Sequence, residues 1–169
     1  MANPILALPF VQETRRNHAL EHATLHVLAA AEPGRPLGGH SNPTGFFILG
    51  NVSTEAVKSA VTEALMRLRD GERELAIHPG CGTNFATSAL VAGTLAWVVL
   101  RGSRTALGRM MRLPFAVVLA IVGLAVSRPL GPLIQQKITT EPEMGSLHVV
   151  EIRRSLRGRL TAHRVITRG

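Results

Sequence analysis

Aromatic residues, cysteine and acidic residues are all scarce in this sequence. Its 169 residues include no tyrosine, five phenylalanines, one tryptophan and a single cysteine, Cys81. One cysteine cannot form an internal disulfide, so the composition excludes a secreted disulfide scaffold and favours a reducing compartment. An apolar content of 46% excludes a disordered chain. The length predicts that residues 1–169 form a single domain, with room for no more than an appendage to it.

Acidic residues are absent from a long central stretch. No Asp or Glu occurs in the 66 residues between Glu74 and Glu141, whereas the whole chain has a net charge of +8 from 17 Arg and 2 Lys. Such a charge favours an anionic partner, which is either a nucleic acid or the charged surface of a bilayer.

Two apolar segments lie inside this acid-free stretch, on either side of an arginine-rich turn. Residues 79–100 carry no charge, and residues 113–127 are again apolar. Residues 85–128 are therefore predicted to form a hairpin of two transmembrane helices. The second segment has 15 residues, fewer than the roughly 17–25 usually needed, unless residues 129–134 extend it. Two buried helices of a soluble protein are the alternative.

The hairpin predicts where the protein is found. Small residues let two such helices approach closely, and both segments contain them: Ala89, Ala92, Gly93, Ala96, Ala120 and Gly123. The apolar residues near the start are too few, and lack a preceding basic region, for a signal peptide. We expect an integral membrane protein with the lipid bilayer as its partner. Its orientation and oligomeric state stay open, because arginines lie on both sides of the hairpin.

The residues before the hairpin predict helices and strands. Residues 12–31, rich in Ala and Leu, predict a helix that stops before a loop over residues 33–44. Residues 45–78 predict a strand, then a helix capped by Ser53, then a short strand over Glu74–His78.

The residues after the hairpin predict a second part of the same unit. Residues 141–169 are predicted to contain two basic strands, over residues 147–153 and 160–167, with Gly158 at the turn. The predicted fold class is therefore α+β, a small mixed α/β unit with a two-helix transmembrane hairpin.

The segment His18-Ala19-Leu20-Glu21-His22 has the spacing of a metal-binding helix. Residues four apart lie one turn above each other, so His18 and His22 can present two imidazoles to one ion. Glu21 lies about 60° round the helix from His18, close enough to act as a base on a metal-bound water. A solvated polar face is the alternative.

This H-x-x-E-H order resembles the inverzincin metallopeptidases. The resemblance implies Zn²⁺ as the cofactor and a peptide or a membrane protein as the substrate. Inverzincins take a further ligand from a glutamate on a later helix, which by spacing falls at residues 96–100 here. That stretch contains no acid. The sequence therefore departs from the inverzincin pattern at the third ligand.

The loop His78-Pro-Gly-Cys-Gly-Thr-Asn84 supplies the candidates that replace this glutamate. His78 is the first candidate for the third ligand, and Cys81 as a thiolate is the second. Asn84, with nearby backbone amides, is a candidate oxyanion donor. The alternative is a simple turn before a membrane helix, with Thr83 or Asn84 as the helix N-cap. Glu141 and Glu143, the first acids after the hairpin, are further candidates for a ligand or base.

A wider resemblance covers most of residues 15–145. The segments Leu-Glu-His-Ala, Glu-Leu-Ala-Ile-His and His-Pro-Gly-Cys-Gly-Thr-Asn, followed by two hydrophobic helices, look like a family of uncharacterised small bacterial membrane proteins. The resemblance implies that the two histidine-bearing segments belong to one recurring unit.

Three functions compete at this point. The first is a membrane-associated zinc hydrolase, expected to be a peptidase, in which His18, His22 and His78 hold the metal and Glu21 is the base. The second is a non-enzymatic metal- or haem-binding membrane protein. Nucleic-acid binding is the third, and we do not expect it, because the basic strands lack aromatic residues for base stacking. Their arginines are Arg153, Arg154, Arg157, Arg159, Arg164 and Arg168.

Overall fold

The computed structural model describes residues 4–157 and 160–169, and it separates the chain into two compact units. The first unit contains Met1–His78 and Gln135–Gly169, and the second contains Pro79–Ile134. The fold class is α+β, as the sequence predicts. The predicted turn at Gly158 and the basic Arg159 lie outside the described residues.

The first unit is built around helix α1, Pro9–Ala31. Pro9 suits the first turn because that turn needs no backbone N–H donor there. The helix starts three residues before the predicted 12 and ends where predicted. Its residues from 17 to 28 are almost all buried, on every side of the helix. Residues 17–28 therefore do not form the solvated polar face that is the alternative to a metal site, because the sheet and the other segments surround this helix.

A four-stranded antiparallel sheet packs with α1 in the first unit. Its strands are β1 Gly38–Asn42, β2 Gly45–Leu49, β3 His148–Arg157 and β4 Leu160–Arg168, in the order β1-β2-β4-β3. The predicted strand that begins at Gly45 and the two predicted basic strands are present, and the last two extend further than predicted. The core joins Phe46 and Ile48 of the sheet to Leu20 and Leu28 of α1.

Strand β1 lies inside the stretch that the sequence predicts as a loop. It reads Gly-Gly-His-Ser-Asn, which contains none of the residues that favour strands. Its backbone pairs in register with β2, from Gly38 opposite Leu49 to Asn42 opposite Gly45. The prediction of a loop over residues 33–44 is therefore wrong for these five residues.

Helix α2, Thr54–Arg69, follows the sheet's first hairpin. Its predicted cap is confirmed, since the Ser53 hydroxyl accepts a hydrogen bond from the Ala56 N–H at 3.0 Å. The strand predicted over Glu74–His78 is wrong. Arg73–Ala76 forms one turn of 3₁₀ helix, and residues 77 and 78 continue as irregular chain.

The second unit is a helical hairpin. It consists of α3 Gly82–Arg101, α4 Ala106–Ser127 and the short α5 Leu130–Ile134. Both long helices are long and apolar enough to cross a membrane. The buried residues are only Thr87 and Ala92 in α3 and Ala116, Gly123 and Ser127 in α4, which differs from the mostly buried core helices of a soluble protein.

The second long helix reaches its length in an unexpected way. The sequence predicts that the second span begins at residue 113 and is extended at its C-terminal end by residues 129–134. Helix α4 is instead extended at its N-terminal end, since it begins at Ala106 and has 22 residues. The Thr105 side chain caps it by accepting a hydrogen bond from the Gly108 N–H at 3.1 Å. Much of the predicted arginine-rich turn is therefore helical.

The two long helices pack closely where the sequence has small residues. A Cβ added to Gly123 would lie 2.8 Å from the Ala92 Cα, so only glycine fits there. Near the same contact, the Ser127 hydroxyl donates to the Ser88 hydroxyl at 2.9 Å.

Candidate metal centre

Helix α1 places His18, His22 and His26 along one stripe, and His78 joins them from the chain after the 3₁₀ turn. We call these four side chains the imidazole cluster. The ring centroids are 4.2 Å apart for His18 and His22, 5.6 Å for His22 and His78, and 4.9 Å for His26 and His78. His22 is 1% exposed, and the other three are half-buried. The structure therefore places His18 next to His22 and His22 next to His78, and the alternative of a solvated face is wrong for His22.

Backbone carbonyls accept hydrogen bonds from His18 and His22, the first two imidazoles of the cluster along α1. The His18 Nδ1 lies 2.9 Å from the Thr139 carbonyl oxygen, and the His22 Nδ1 lies 2.7 Å from the Ala76 carbonyl oxygen. A carbonyl oxygen only accepts hydrogen bonds, so both Nδ1 atoms carry the proton. Whenever such a ring is neutral, its lone pair is on Nε2, which is the tautomer of an imidazole that can bind a metal through Nε2.

His78 is held by its backbone. The buried Gln135 side chain accepts a hydrogen bond from the His78 N–H at 2.9 Å and donates one to the His78 carbonyl at 3.2 Å. Burial lowers the pKa of His78 to about 4, with smaller contributions from the nearby charges of His22 and His26. The ring is therefore neutral at pH 7, as metal binding requires.

Glu21 is buried on the side of α1 that packs against β1. It is 4% exposed, and its carboxylate accepts a hydrogen bond from the Ser41 hydroxyl. A Cβ added to Gly39 would lie 2.3 Å from the Glu21 Oε1, so the strand backbone passes directly over this carboxylate. The predicted base is thus a fixed, interior group.

His26 is a further member of the cluster and lies outside the H-x-x-E-H segment. Its Nε2 lies 2.8 Å from the Ile77 carbonyl oxygen, so Nε2 carries the proton and Nδ1 carries the lone pair. The signal was present, because His26 follows His22 by one further helical turn.

Cys81 and Asn84 belong to the second unit, where both have structural partners. Cys81 is the N-cap of α3, and its Sγ accepts a hydrogen bond from the Thr83 N–H at 3.4 Å. The predicted N-caps Thr83 and Asn84 lie instead in the first turn of the helix. The Asn84 amide donates to the Pro79 carbonyl at 2.8 Å, and a Cβ on Gly131 would lie 2.2 Å from the Asn84 Oδ1.

The acids after the hairpin form ion pairs. Glu141 lies 3.2 Å from the Arg15 guanidinium, and Glu143 pairs with Arg73. A carboxylate already paired with arginine is a poorer metal ligand, so the cluster histidines remain the stronger candidates.

Comparison with known proteins agrees with the recurring unit seen in the sequence. Residues 13–152 match the family described as a domain of unknown function, DUF6391. The chain belongs to this family. It is 37% identical over 139 residues to an uncharacterised protein of Picosynechococcus sp. (strain ATCC 27264 / PCC 7002 / PR-6). The match covers 75% of this chain and 65% of that protein, so the chain spans about two thirds of its relative's length. No solved structure matches it.

Proposed function

We propose that this member of the family is a membrane-associated zinc-dependent hydrolase that cleaves peptide bonds. One observation carries the proposal: two imidazoles a helical turn apart, with ring centroids 4.2 Å apart, each donate Nδ1–H to a backbone carbonyl. A metal-binding histidine nearly always donates its second nitrogen in this way, because the hydrogen bond fixes the tautomer and the ring orientation.

Burial of the cluster supports a metal as its purpose. Polar rings are costly to bury unless their hydrogen-bonding groups are satisfied, and here one buried and three half-buried imidazoles lie together. Zinc binding would offset the free energy lost on burying these rings, since neutral imidazole nitrogens are among the preferred ligands of zinc. In the proposal, His18, His22 and His78 are the protein ligands.

Cys81 is the alternative third ligand or a fourth one. It follows His78 by three residues, which an extended chain spans in roughly 10 Å. Three protein ligands leave zinc an open position for water, whereas a fourth from Cys81 closes the site. The hydrolase proposal therefore assigns the three histidines to the metal.

Glu21 is the proposed general base. Zinc supplies Lewis acidity, which makes a bound water more acidic. As the base, Glu21 would accept a proton from the attacking water and would return it to the departing amine of the peptide. The H-x-x-E-H order of the residues, similar to that of inverzincins, supports this assignment. The Asn84 amide is the proposed oxyanion donor.

The proposed location is the bacterial cytoplasmic membrane. Besides the two apolar helices, an aromatic–cationic pair at the end of α3 supports it, since the Arg101 guanidinium lies 4.7 Å from the Trp97 ring centroid. Tryptophan is enriched at membrane–water interfaces, where arginine also meets anionic headgroups. The proposed partners are therefore lipids and a peptide or membrane-protein substrate.

A second candidate function is metal binding without catalysis, with zinc or a haem iron as the metal. The hydrogen bond from Ser41 to Glu21 favours it, because this carboxylate then has a structural partner on β1. In that case Glu21 orients α1 against the sheet and takes no proton.

The Glu21→Gln variant distinguishes the two functions. Purified full-length protein in detergent is assayed for zinc content, for visible absorption and for cleavage of peptide substrates. The hydrolase proposal predicts one zinc per chain in both proteins and loss of cleavage in the variant. Equal cleavage by both proteins, or wild-type protein without stoichiometric zinc, contradicts it. Absorption in the haem region supports the second function.

A further inference from the structure

Gln135 makes an unusual pair of contacts with the backbone of a proposed ligand. The residue is fully buried, and its amide bonds to both backbone polar groups of His78, the N–H at 2.9 Å and the carbonyl at 3.2 Å. This is the exchange of hydrogen bonds that a neighbouring strand would provide, but here one side chain provides it. The two contacts fix the peptide planes on both sides of His78.

The backbone of Gln135 is itself fixed by a tight turn. Its carbonyl accepts two hydrogen bonds from the buried Thr140, one from the N–H at 2.9 Å and one from the hydroxyl at 2.8 Å. The backbone bond spans five residues, which makes Gln135–Thr139 a π-helical turn. Such turns are rare in proteins, and those that do occur are frequently found at functional sites.

The same turn also holds α1. The Thr139 carbonyl accepts the proton of the His18 Nδ1, and the Arg15 guanidinium donates to the carbonyls of Ile138 and Thr140, each at 2.8 Å. Residues 135–140 therefore contact two of the three proposed histidine ligands, His18 through its ring and His78 through its backbone.

We infer that Gln135 positions the His78 imidazole for metal binding, and that the Gln135–Thr140 segment is the scaffold that sets the affinity of the site. The inference rests on the proposed zinc site. Without the amide, the His78 peptide groups lose their partners and the ring loses its fixed approach to His22. Removing an outer partner of a metal ligand typically lowers metal affinity by about 10–100-fold.

A double-mutant cycle on full-length protein in detergent tests the inference. Zinc affinity is measured by competition with a chelator for the wild type, Gln135→Met, His78→Ala and the double variant. Gln136→Met is the matched control, since Gln136 is the exposed neighbour of Gln135 in the same turn. We expect Gln135→Met to weaken zinc binding by about 10–100-fold and Gln136→Met to leave it unchanged. In the His78→Ala background, Gln135→Met should have no further effect.

Cobalt(II) spectra provide a second measurement, because the visible spectrum of the bound ion depends on its ligands and not on the overall stability of the protein. The visible spectrum of Co²⁺-loaded Gln135→Met should match that of His78→Ala, because both lack a correctly placed third imidazole. If Gln135→Met does not fold, Gln135→Glu replaces it, because it keeps the acceptor for the His78 N–H and loses the donor, and an intermediate affinity is expected.

The outcomes separate this inference from the proposed function. Zinc affinity unchanged by the Gln135 variant, or an equal further loss in the His78→Ala background, overturns the inference while the zinc site stands. Wild-type protein that binds no zinc overturns the proposed function, and the inference with it.

Discussion

The close packing of Gly39 against Glu21, the proposed base, predicts the effect of adding one methyl group to strand β1. In Gly39→Ala the new Cβ would lie 2.3, 2.6 and 2.7 Å from the Oε1, Cδ and Cγ atoms of Glu21. Ordinary contacts with a Cβ begin at 3.4 Å, so the carboxylate must move by about 1 Å. Glu21 is 4% exposed and accepts a hydrogen bond from Ser41, so it has little room for this movement.

The expected cost follows from overpacking. Extra carbon atoms in a packed interior typically cost about 1–3 kcal/mol, and we expect the free energy of unfolding to fall by that amount. A displacement of about 1 Å can reduce catalysis by about 100-fold. If Glu21 is the base, peptide cleavage should fall by this factor while zinc affinity stays the same, because the proposed metal ligands are the histidines and not Glu21.

Gly38→Ala is the matched control. It adds the same methyl group to the same strand, but nothing lies within 4 Å of its Cβ. Chemical unfolding of both variants in one detergent, followed by circular dichroism, gives the difference in stability. Equal stabilities of the two variants would refute the placement of Glu21 against β1. Equal cleavage rates would refute its role as the base.

Two further predictions concern the hairpin and pH. Gly123→Ala should lower the thermal unfolding temperature in detergent, since its Cβ would lie 2.8 Å from the Ala92 Cα. Gly93→Ala is the control and should not lower this temperature, because its Cβ meets nothing within 4 Å. Equal unfolding temperatures for the two variants would contradict the packing of the hairpin. Burial lowers the pKa of His163, which is fully buried beside Thr54. The unfolded chain therefore binds its proton first, and the free energy of unfolding should fall as the pH drops below about 6.5. His163→Gln should flatten this dependence, and an unchanged slope would contradict it.

Elements with strong local signals were predictable from the sequence. The Ser53 cap, the short apolar run of β2 and the long apolar segments each depend on residues close together in the chain, and each is present in the structure. The spacing of His18 and His22 on α1 likewise follows from helical geometry alone.

Elements that depend on distant partners were not predictable. Strand β1 has no strand-forming residues. Its Gly39 is required because the Glu21 side chain of α1 lies against it. The apolar segment near His78 resembles a strand, but its carbonyls at Ala76 and Ile77 bond to histidines of α1 and not to a neighbouring strand. Local pattern carries no information about such contacts.

The partners of the imidazoles were also beyond the sequence. Gln135 lies 57 residues from His78 along the chain, and Thr139 lies 121 residues from His18. Neither residue type is itself a metal ligand in the usual zinc sites. Only the folded chain shows that both support the cluster.

X-ray absorption at the zinc edge tests the central claim most directly. Full-length wild-type protein, purified without chelators and loaded with one equivalent of zinc, should show imidazole scattering from three nitrogens at about 2.0–2.1 Å. The same spectrum from His22→Ala should lose one of these nitrogens, since His22 is the most buried ring of the cluster. A zinc shell without imidazole scattering, or one unchanged in His22→Ala, would contradict the proposed metal centre.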